Sequence, residues 1–457
     1  MSAGIVEYGD FLRAKERRVH CAGIDVSAGD LHPHLFPFQR ATVGWAAKLG
    51  RAAIFANTGL GKTLMQLEWA RVMGGRAMIL APLAVSSQTA REARTIGLDI
   101  TICRDDSDVR DGINITNYER LEKFDLSRFD SVVLDESSIL KSFDGKMRAM
   151  LTEQCGGIRY RLACTATPSP NDTMELGNHA EFLGVMRASE MLATYFTHDG
   201  GETQKWRLKG HARKEFWRWV ASWGAMIQRP SDIGFDDSGY DLPPLRMHEH
   251  IVSIAASDDR ESLFAMPALG LNETRRARKE SITERVAQAA EIIRREPGTW
   301  IVWCELNAEA DALQDAIPGA IEIRGSDSAE EKERGLLAFS DGAAPILISK
   351  PSICGFGMNW QHCHKMLFVG ISYSWESFYQ AIRRCYRFGQ TLPVDVHLIL
   401  SEPEQSVLEA LKRKERDAQT MQAAMVAAAM EGFAAQRPRS QYSHPKVENP
   451  SWLKTLS

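Results

Sequence analysis

Apolar residues in this chain fall in short unbroken runs rather than in strict alternation. Ala52–Ala56, Arg76–Ala81, Asp130–Leu134 and Tyr160–Thr165 form one series; Ile301–Cys304, Ile321–Ile323, Ile346–Ser349 and Met366–Gly370 form a second. Runs of this length without polar interruption predict strands buried on both faces. Between them lie stretches with helical periodicity, so each series predicts a parallel sheet covered by helices. Positions 187–250 separate the two series and have another texture, first Trp-rich and basic, then Gly/Asp/Pro-rich from Gly234. After Leu400 the strands stop, and Ser406–Ala435, charged and then Ala/Met-rich, predicts a helix. From Arg437 the chain is polar with three prolines and is expected to be loosely held. The predicted organisation is an N-terminal lobe over 1–186, a helical Trp/basic protrusion and connector over 187–245, a C-terminal lobe over 246–400, and a helical brace with a flexible tail over 401–457.

Length and composition narrow this picture. A chain of 457 residues is too long for one ordinary domain. Its 44% hydrophobic and 25% charged residues suit a globular protein with a real core and exclude a disordered or collagen-like chain. With 55 Lys and Arg against 59 Asp and Glu, the net charge of −4 excludes a histone-like, wholly basic protein but leaves room for a local basic groove. No run approaches the ~18 apolar residues of a membrane span, and the first ten residues lack an apolar signal core. The 8 cysteines form no CxxC pair, which disfavours a zinc ribbon or a disulfide frame. His362-Cys363-His364 with Cys354 is the one metal-like cluster and reads as a strand edge with incidental ligand types. A reducing, intracellular setting is expected.

The first chemically decisive segment is Ala56-Asn57-Thr58-Gly59-Leu60-Gly61-Lys62-Thr63. It follows a predicted strand and opens a predicted helix, the context a phosphate-binding loop requires. Its glycines let backbone N–H groups wrap a phosphate, and the helix N-terminus adds a favourable field. Lys62 is expected at the β/γ-phosphates and Thr63 at Mg²⁺. The second segment is Val132-Val133-Leu134-Asp135-Glu136, an apolar strand delivering two carboxylates at its C-terminal end. Asp135 suits Mg²⁺, and Glu136 suits polarising an attacking water. Two acids one sheet-turn after a phosphate loop indicate hydrolysis of a nucleoside triphosphate rather than passive binding.

With these segments in place, the chain from about Leu35 to Gln390 resembles the superfamily 2 helicases and translocases, and within them the Swi/Snf-type remodeller ATPases. Leu35-Phe-Pro-Phe38-Gln39 resembles that family's adenine-reading opening, with Gln39 as base contact. Ala81-Pro82-Leu83 and Ile115-Thr116-Asn117-Tyr118-Glu119 resemble its nucleic-acid-backbone motifs. Asp135-Glu136-Ser137-Ser138 stands at its DEAH box, from which the last two residues depart. Ile139-Leu140-Lys141-Ser142 follows in register, and Thr165-Ala166-Thr167-Pro168 resembles the motif coupling hydrolysis to nucleic-acid contact. Trp300–Glu305 and Arg324-Gly325-Ser326 resemble early motifs of the second lobe, and Gly355-Phe-Gly357-Met-Asn359 the fifth. Gln380-Ala-Ile-Arg383-Arg384-Cys-Tyr-Arg387-Phe-Gly389-Gln390 resembles the sixth, with Arg383 at a usual Gly. The resemblance implies an α/β fold of two RecA-like parallel-sheet lobes with an α-helical insertion and a helical C-terminal tail, ATP and Mg²⁺ as ligands, Arg384 and Arg387 as arginine fingers, and Gln380 and Gly357 at the nucleotide. An arginine reaching a leaving γ-phosphate from another lobe is worth roughly 10³–10⁵ in rate.

A motor tracking nucleic acid needs phosphate contacts without sequence content. Pro82, Thr116, Asn117, Tyr118, Lys141 and Ser349 are the expected sources. Within the insertion, Lys205, Arg207, Lys209, His211, Arg213 and Lys214 interleave with Trp206, Trp217, Trp219 and Trp223. They offer either a basic aromatic surface or an amphipathic helix with buried tryptophans; Phe216, Trp219 and Trp223 have the helical spacing that favours burial. The expected function is a nucleic-acid-dependent ATPase, with DNA as partner and duplex favoured over single strands, in a bacterial or phage-infected cytoplasm. A strand-separating DNA or RNA helicase is the alternative enzyme. A nucleotide-gated DNA clamp with slow hydrolysis is the alternative of another class.

Overall fold

The computed structural model describes residues 23–436 apart from 83–84, 142–144, 171, 199–205, 254–275, 277 and 355–357. The first run of strands is β1 (Arg51–Ala56), β2 (Arg76–Ala81), β3 (Ile100–Ile102), β4 (Gly112–Asn117), β5 (Ser131–Asp135) and β6 (Tyr160–Cys164). A two-stranded antiparallel hairpin, β7 (Phe196–His198) and β8 (Trp206–Leu208), interrupts the series, and β9 (Gly224–Ile227) completes it. The seven strands of the first sheet run in the order β3-β4-β2-β5-β6-β1-β9, all parallel. The second sheet contains β10 (Leu245–Val252), β11 (Trp300–Cys304), β12 (Ile321–Ile323), β13 (Ile346–Ser349), β14 (Lys365–Val369) and β15 (Val394–Ser401). Its order is β10-β15-β14-β11-β13-β12, again all parallel. The fold is therefore α/β with two parallel-sheet lobes, and most of their strands are apolar runs of the sequence.

Unbroken apolar runs are needed because each strand packs on both faces. Along β1, Ala53 and Phe55 enter one core while Ala52, Ile54 and Ala56 enter the opposite one. Along β11, Ile301 and Trp303 face one layer and Trp300, Val302 and Cys304 the other. Several strands make no unbroken apolar run: β3 has only partial burial, β10 alternates intermediate and exposed positions, and the internal strands β4 and β15 are interrupted by Asn114 and Thr116 and by Asp395 and His397.

Two segments sit differently from a simple insertion and tail. Helix Arg213–Ala221 buries Phe216, Trp217 and Trp219, and Trp223 follows it, all in the core of the first lobe. β9 then pairs with β1, so the first sheet draws its last strand from positions 224–227, beyond the expected lobe boundary. The 32-residue helix Gln405–Gln436 spans about 48 Å at 1.5 Å per residue. It buries Val407, Leu408 and Leu411 in the second lobe, and Met421 and Met425 in the first. Gln228 Nε2 donates to Gln422 Oε1 at 2.8 Å along the same contact. The tail expected from Arg437 lies outside the described residues. Among the described residues no helix is long and apolar enough to cross a membrane.

Candidate active site

β1 ends at Ala56, and the chain turns through Asn57–Gly61 into the helix Lys62–Met73. Two glycines make this turn possible. Gly59 (φ 92°) and Gly61 (φ 77°) occupy left-handed backbone, which costs an L side chain about 1–2 kcal/mol. Space forbids a side chain as well. A Cβ on Gly61 would lie 2.3 Å from Gln39 Nε2, and one on Gly59 would lie 2.6 Å from the Phe388 backbone nitrogen of the second lobe. The loop is thus clamped between the helix Pro37–Leu49 and the segment that follows Arg387. Gln39 is buried; its Nε2 donates to Leu60 O (2.8 Å), and its Oε1 accepts from the Phe36 amide (2.9 Å). It ties the opening motif to the phosphate loop. Phe38 is buried beneath Tyr240, 5.5 Å between ring centroids, while the exposed Phe36 and the half-buried Phe388 surround the same tyrosine at 5.8 and 4.8 Å.

Thr58 N donates to Asn57 Oδ1 (2.8 Å), closing the loop on itself. Lys62 Nζ donates to Ala56 O at 2.8 Å and Asn57 O at 3.3 Å. Burial holds its ammonium down to about 8, against the opposing pull of Glu136 and Asp135. Asp135, the last residue of β5, accepts from Gln66 Nε2 of the loop's helix at 2.8 Å. Glu136 has φ 58°, the one non-glycine in left-handed backbone among the described residues. Such strain at a chain position is typically retained where function needs it. Here it turns the carboxylate off the strand line, so that Oε1 accepts from Thr165 Oγ1 and Oε2 from Gln380 Nε2 at 3.4 Å. The Thr167 amide donates to the same Thr165 hydroxyl at 3.0 Å. Burial raises the pKa of both Asp135 and Glu136.

The second lobe closes the site through the helix Trp375–Ile382 and the turn after it. Tyr379 OH donates to Asn57 Oδ1 at 2.7 Å. Arg384 is buried and spends its donors within its own lobe: Nε on Gln380 O (3.0 Å), Nη1 on Met358 O (2.9 Å) and Nη2 on Gln380 Oε1 (3.0 Å). Arg387 Nη1 donates to Asn359 Oδ1, and its Nε is buried without a partner among the described residues. Burial lowers Arg384 to about 9 and Arg387 to about 10. The predicted Lys62, Thr63, Asp135, Glu136, Gln380, Arg384 and Arg387 thus meet where the lobes meet. Gly357 lies outside the described residues.

Several participants escaped the sequence reading. Glu92, on the helix Ser86–Thr95, accepts from Gln88 Nε2 (2.8 Å) and lies within electrostatic reach of Arg387; burial raises its pKa. Tyr379 bonds Asn57 of the loop, Phe388 of the sixth motif packs on Gly59, and Tyr240 packs on Phe36, Phe38 and Phe388 beside it. Glu376 carried a usable signal, since it lies four residues before Gln380 and so shares its helix face.

A wider cleft of about 850 Å³ opens between the lobes next to this site. Pro82, Thr116, Asn117, Tyr118 and Lys141 line it from the first lobe, and Glu136 and Glu376 lie at its base. Its predicted hydroxyls are mostly committed elsewhere. Thr116 Oγ1 is buried and donates to Cys103 O (2.9 Å); Tyr118 OH donates to Asp135 O (2.8 Å), which helps position the acid pair. Ser349 is not in this cleft. It is buried at the edge of a separate 340 Å³ cavity of the second lobe, donates to Ile323 O (2.8 Å) and lies 3.2 Å from Cys354 Sγ.

No family model matches the chain. It is 24% identical to protein p41 of Acyrthosiphon pisum secondary endosymbiont phage 1, across 83% of this chain and 98% of p41. Among solved structures it is similar to the Sulfolobus solfataricus SWI2/SNF2 ATPase core in complex with dsDNA, with a TM-score of 0.42 and 17% identity, covering 90% of this chain and 97% of that one.

Proposed function

We propose that this chain is an ATP-hydrolysing motor that moves along nucleic acid, with duplex DNA as its track. The observation that carries the proposal is the meeting of the phosphate loop and acid pair of one lobe with Gln380, Arg384 and Arg387 of the other. A hydrolysis site divided between two bodies makes turnover depend on their relative position, and so converts hydrolysis into lobe motion. The chain's residues fit ATP with Mg²⁺: Gly59 and Gly61 form a cradle that a Cβ would fill, and Thr63 and Asp135 offer oxygen ligands beside it. Bound there, Mg²⁺ would neutralise charge on the β- and γ-phosphates.

In this scheme the phosphate takes Lys62 Nζ from the carbonyls of Ala56 and Asn57. Glu136, whose raised pKa brings it nearer neutrality, accepts a proton from the attacking water. Thr165 and Gln380 hold its carboxylate, so nucleophile activation is sensitive to both lobes. Arg384 and Arg387 neutralise charge developing on the leaving group. The preference for duplex rests on the remodeller-like endings of the motifs in the sequence. The test is displacement of a third strand from a triplex by ATP-driven movement along the duplex. The proposal expects displacement by the wild type and none by Lys62→Ala. Unwinding of a labelled fork without triplex displacement would establish a helicase instead.

A further inference from the structure

The helix Trp375–Ile382 presents three residues of one face to the first lobe. Glu376 meets Lys141, Tyr379 meets Asn57, and Gln380 meets Glu136. Positions i, i+3 and i+4 lie together on a helix, so one rigid element touches the cleft wall, the phosphate loop and the acid pair at once. The Lys141–Glu376 contact differs from the other two in carrying full charges. The Glu376 side chain is 3% exposed, whereas that of Lys141 is 41% exposed and lines the wide cleft. The second oxygen of Glu376, Oε1, is buried with no hydrogen-bond partner among the described residues. Lys141 is therefore a half-exposed cation paired with a buried carboxylate, and it stands on the wall of the wide cleft where a phosphate backbone can reach it.

We propose that Lys141 is a shared ligand: Glu376 holds it in the arrangement seen here, and a phosphate of the bound duplex takes it away, which unlatches the helix carrying Gln380. The inference rests on the reading that the wide cleft receives nucleic acid. A buried carboxylate stripped of its countercharge is strongly unfavourable, the more so beside a second carboxylate, Glu136. Loss of Lys141 therefore destabilises this contact between the lobes and favours another. In the arrangement held by the latch Arg384 spends three donors inside its own lobe, on Gln380 and Met358, and is not free to meet a leaving phosphate. Unlatching lets the helix, with Gln380 and the finger turn behind it, move toward the phosphate. By linkage, whatever energy the duplex spends opening the latch weakens its own binding.

The test is ATPase rate against duplex concentration for wild type, E376Q, K141Q and the double variant, with thermal melting of each. E376Q removes the charge that holds Lys141 and keeps the shape. Its basal rate is expected to rise about tenfold, its stimulation ratio to fall to match, and its half-stimulating duplex concentration to drop about tenfold. K141Q, at a half-exposed position, is expected to raise the basal rate similarly but to raise the half-stimulating concentration. The double variant should show a basal rate no higher than either single one. A merely structural pair would shift both variants toward weaker duplex response and lower melting temperature. E376Q that melts like wild type and keeps its basal rate and duplex response overturns the latch. If E376Q does not fold, an unchanged basal rate in K141Q overturns it equally. Wild type unresponsive to duplex overturns both the reading of the cleft and the latch, whereas a responsive wild type with unaltered variants overturns the latch alone.

Discussion

The phosphate site and the wide cleft beside it lie between the same two lobes, yet their predicted residues fare differently. At the candidate phosphate site seven predicted side chains from two lobes converge on one seam, with Glu136, Gln380 and Arg384 linked by hydrogen bonds. In the cleft, Thr116 and Tyr118 give their hydroxyls to backbone carbonyls of the fold, and Ser349 lies in another cavity. The difference is physical. A phosphate loop builds its ligand from contiguous backbone, so the local sequence nearly determines the geometry. A nucleic-acid surface depends on which polar groups tertiary packing leaves over, and a hydroxyl near a sheet is readily claimed by a buried carbonyl.

The largest expected effect would sharpen the phosphate side. Arg387→Ala should lower kcat by roughly 10³–10⁵ while leaving nucleotide-independent duplex binding intact. Equal loss of binding would mean that Arg387 acts through the cleft. Glu136→Gln should lower turnover by about 10²–10⁴ with ATP still bound, read by filter binding and single-turnover hydrolysis; full turnover would remove Glu136 from the role of base.

A third comparison tests the cleft directly. Lys141→Ala should weaken duplex binding across sequences and reduce the salt slope by about one. Thr116→Val should leave that slope unchanged and instead cost about 1–3 kcal/mol of stability, because the Cys103 carbonyl loses its donor in the core. The reverse pattern would return Thr116 to the nucleic-acid surface.

The smallest effect is on pH dependence. Protonation of Glu136, whose pKa burial raises, should make kcat/KM fall toward acid. Loss of the Lys62 proton, held at about 8 by burial, should make it fall above that pH. The profile of kcat/KM is then a bell for the free enzyme. In kcat the alkaline limb should move upward, since bound phosphate favours charged Lys62. An alkaline limb at the same pH in both profiles would remove Lys62 from the phosphate.

Strands such as β1, β2, β5, β6, β11, β13 and β14 were legible because burial on both faces leaves unbroken apolar runs, as in Ala52–Ala56 and Ile301–Cys304, whereas the internal strands β4 and β15 were not, since Asn114 and Thr116, and Asp395 and His397, interrupt theirs. β9 was not, because Gly224–Ile227 is four residues long and follows a Trp-rich helix whose texture resembles an insertion. The phosphate loop, acid pair and sixth motif were legible as contiguous patterns. Glu92 and Tyr240 were not, since each reaches the site only through the packing of separate elements; Phe388, within the sixth motif, and Tyr379, just before it, carry no residue-type signal for their contacts with Gly59 and Asn57. Glu136 shows the same limit within a legible motif: its residue type announces an acid, but only the backbone reveals the left-handed turn that aims it at Thr165 and Gln380.

The most direct test of a motor divided between two lobes is the ATPase rate without nucleic acid and with single-stranded DNA, duplex DNA or RNA at equal nucleotide concentration. Strong stimulation, greatest with duplex and absent in Arg387→Ala, is the predicted result. A rate unchanged by all three nucleic acids, or raised by RNA alone, would contradict the account.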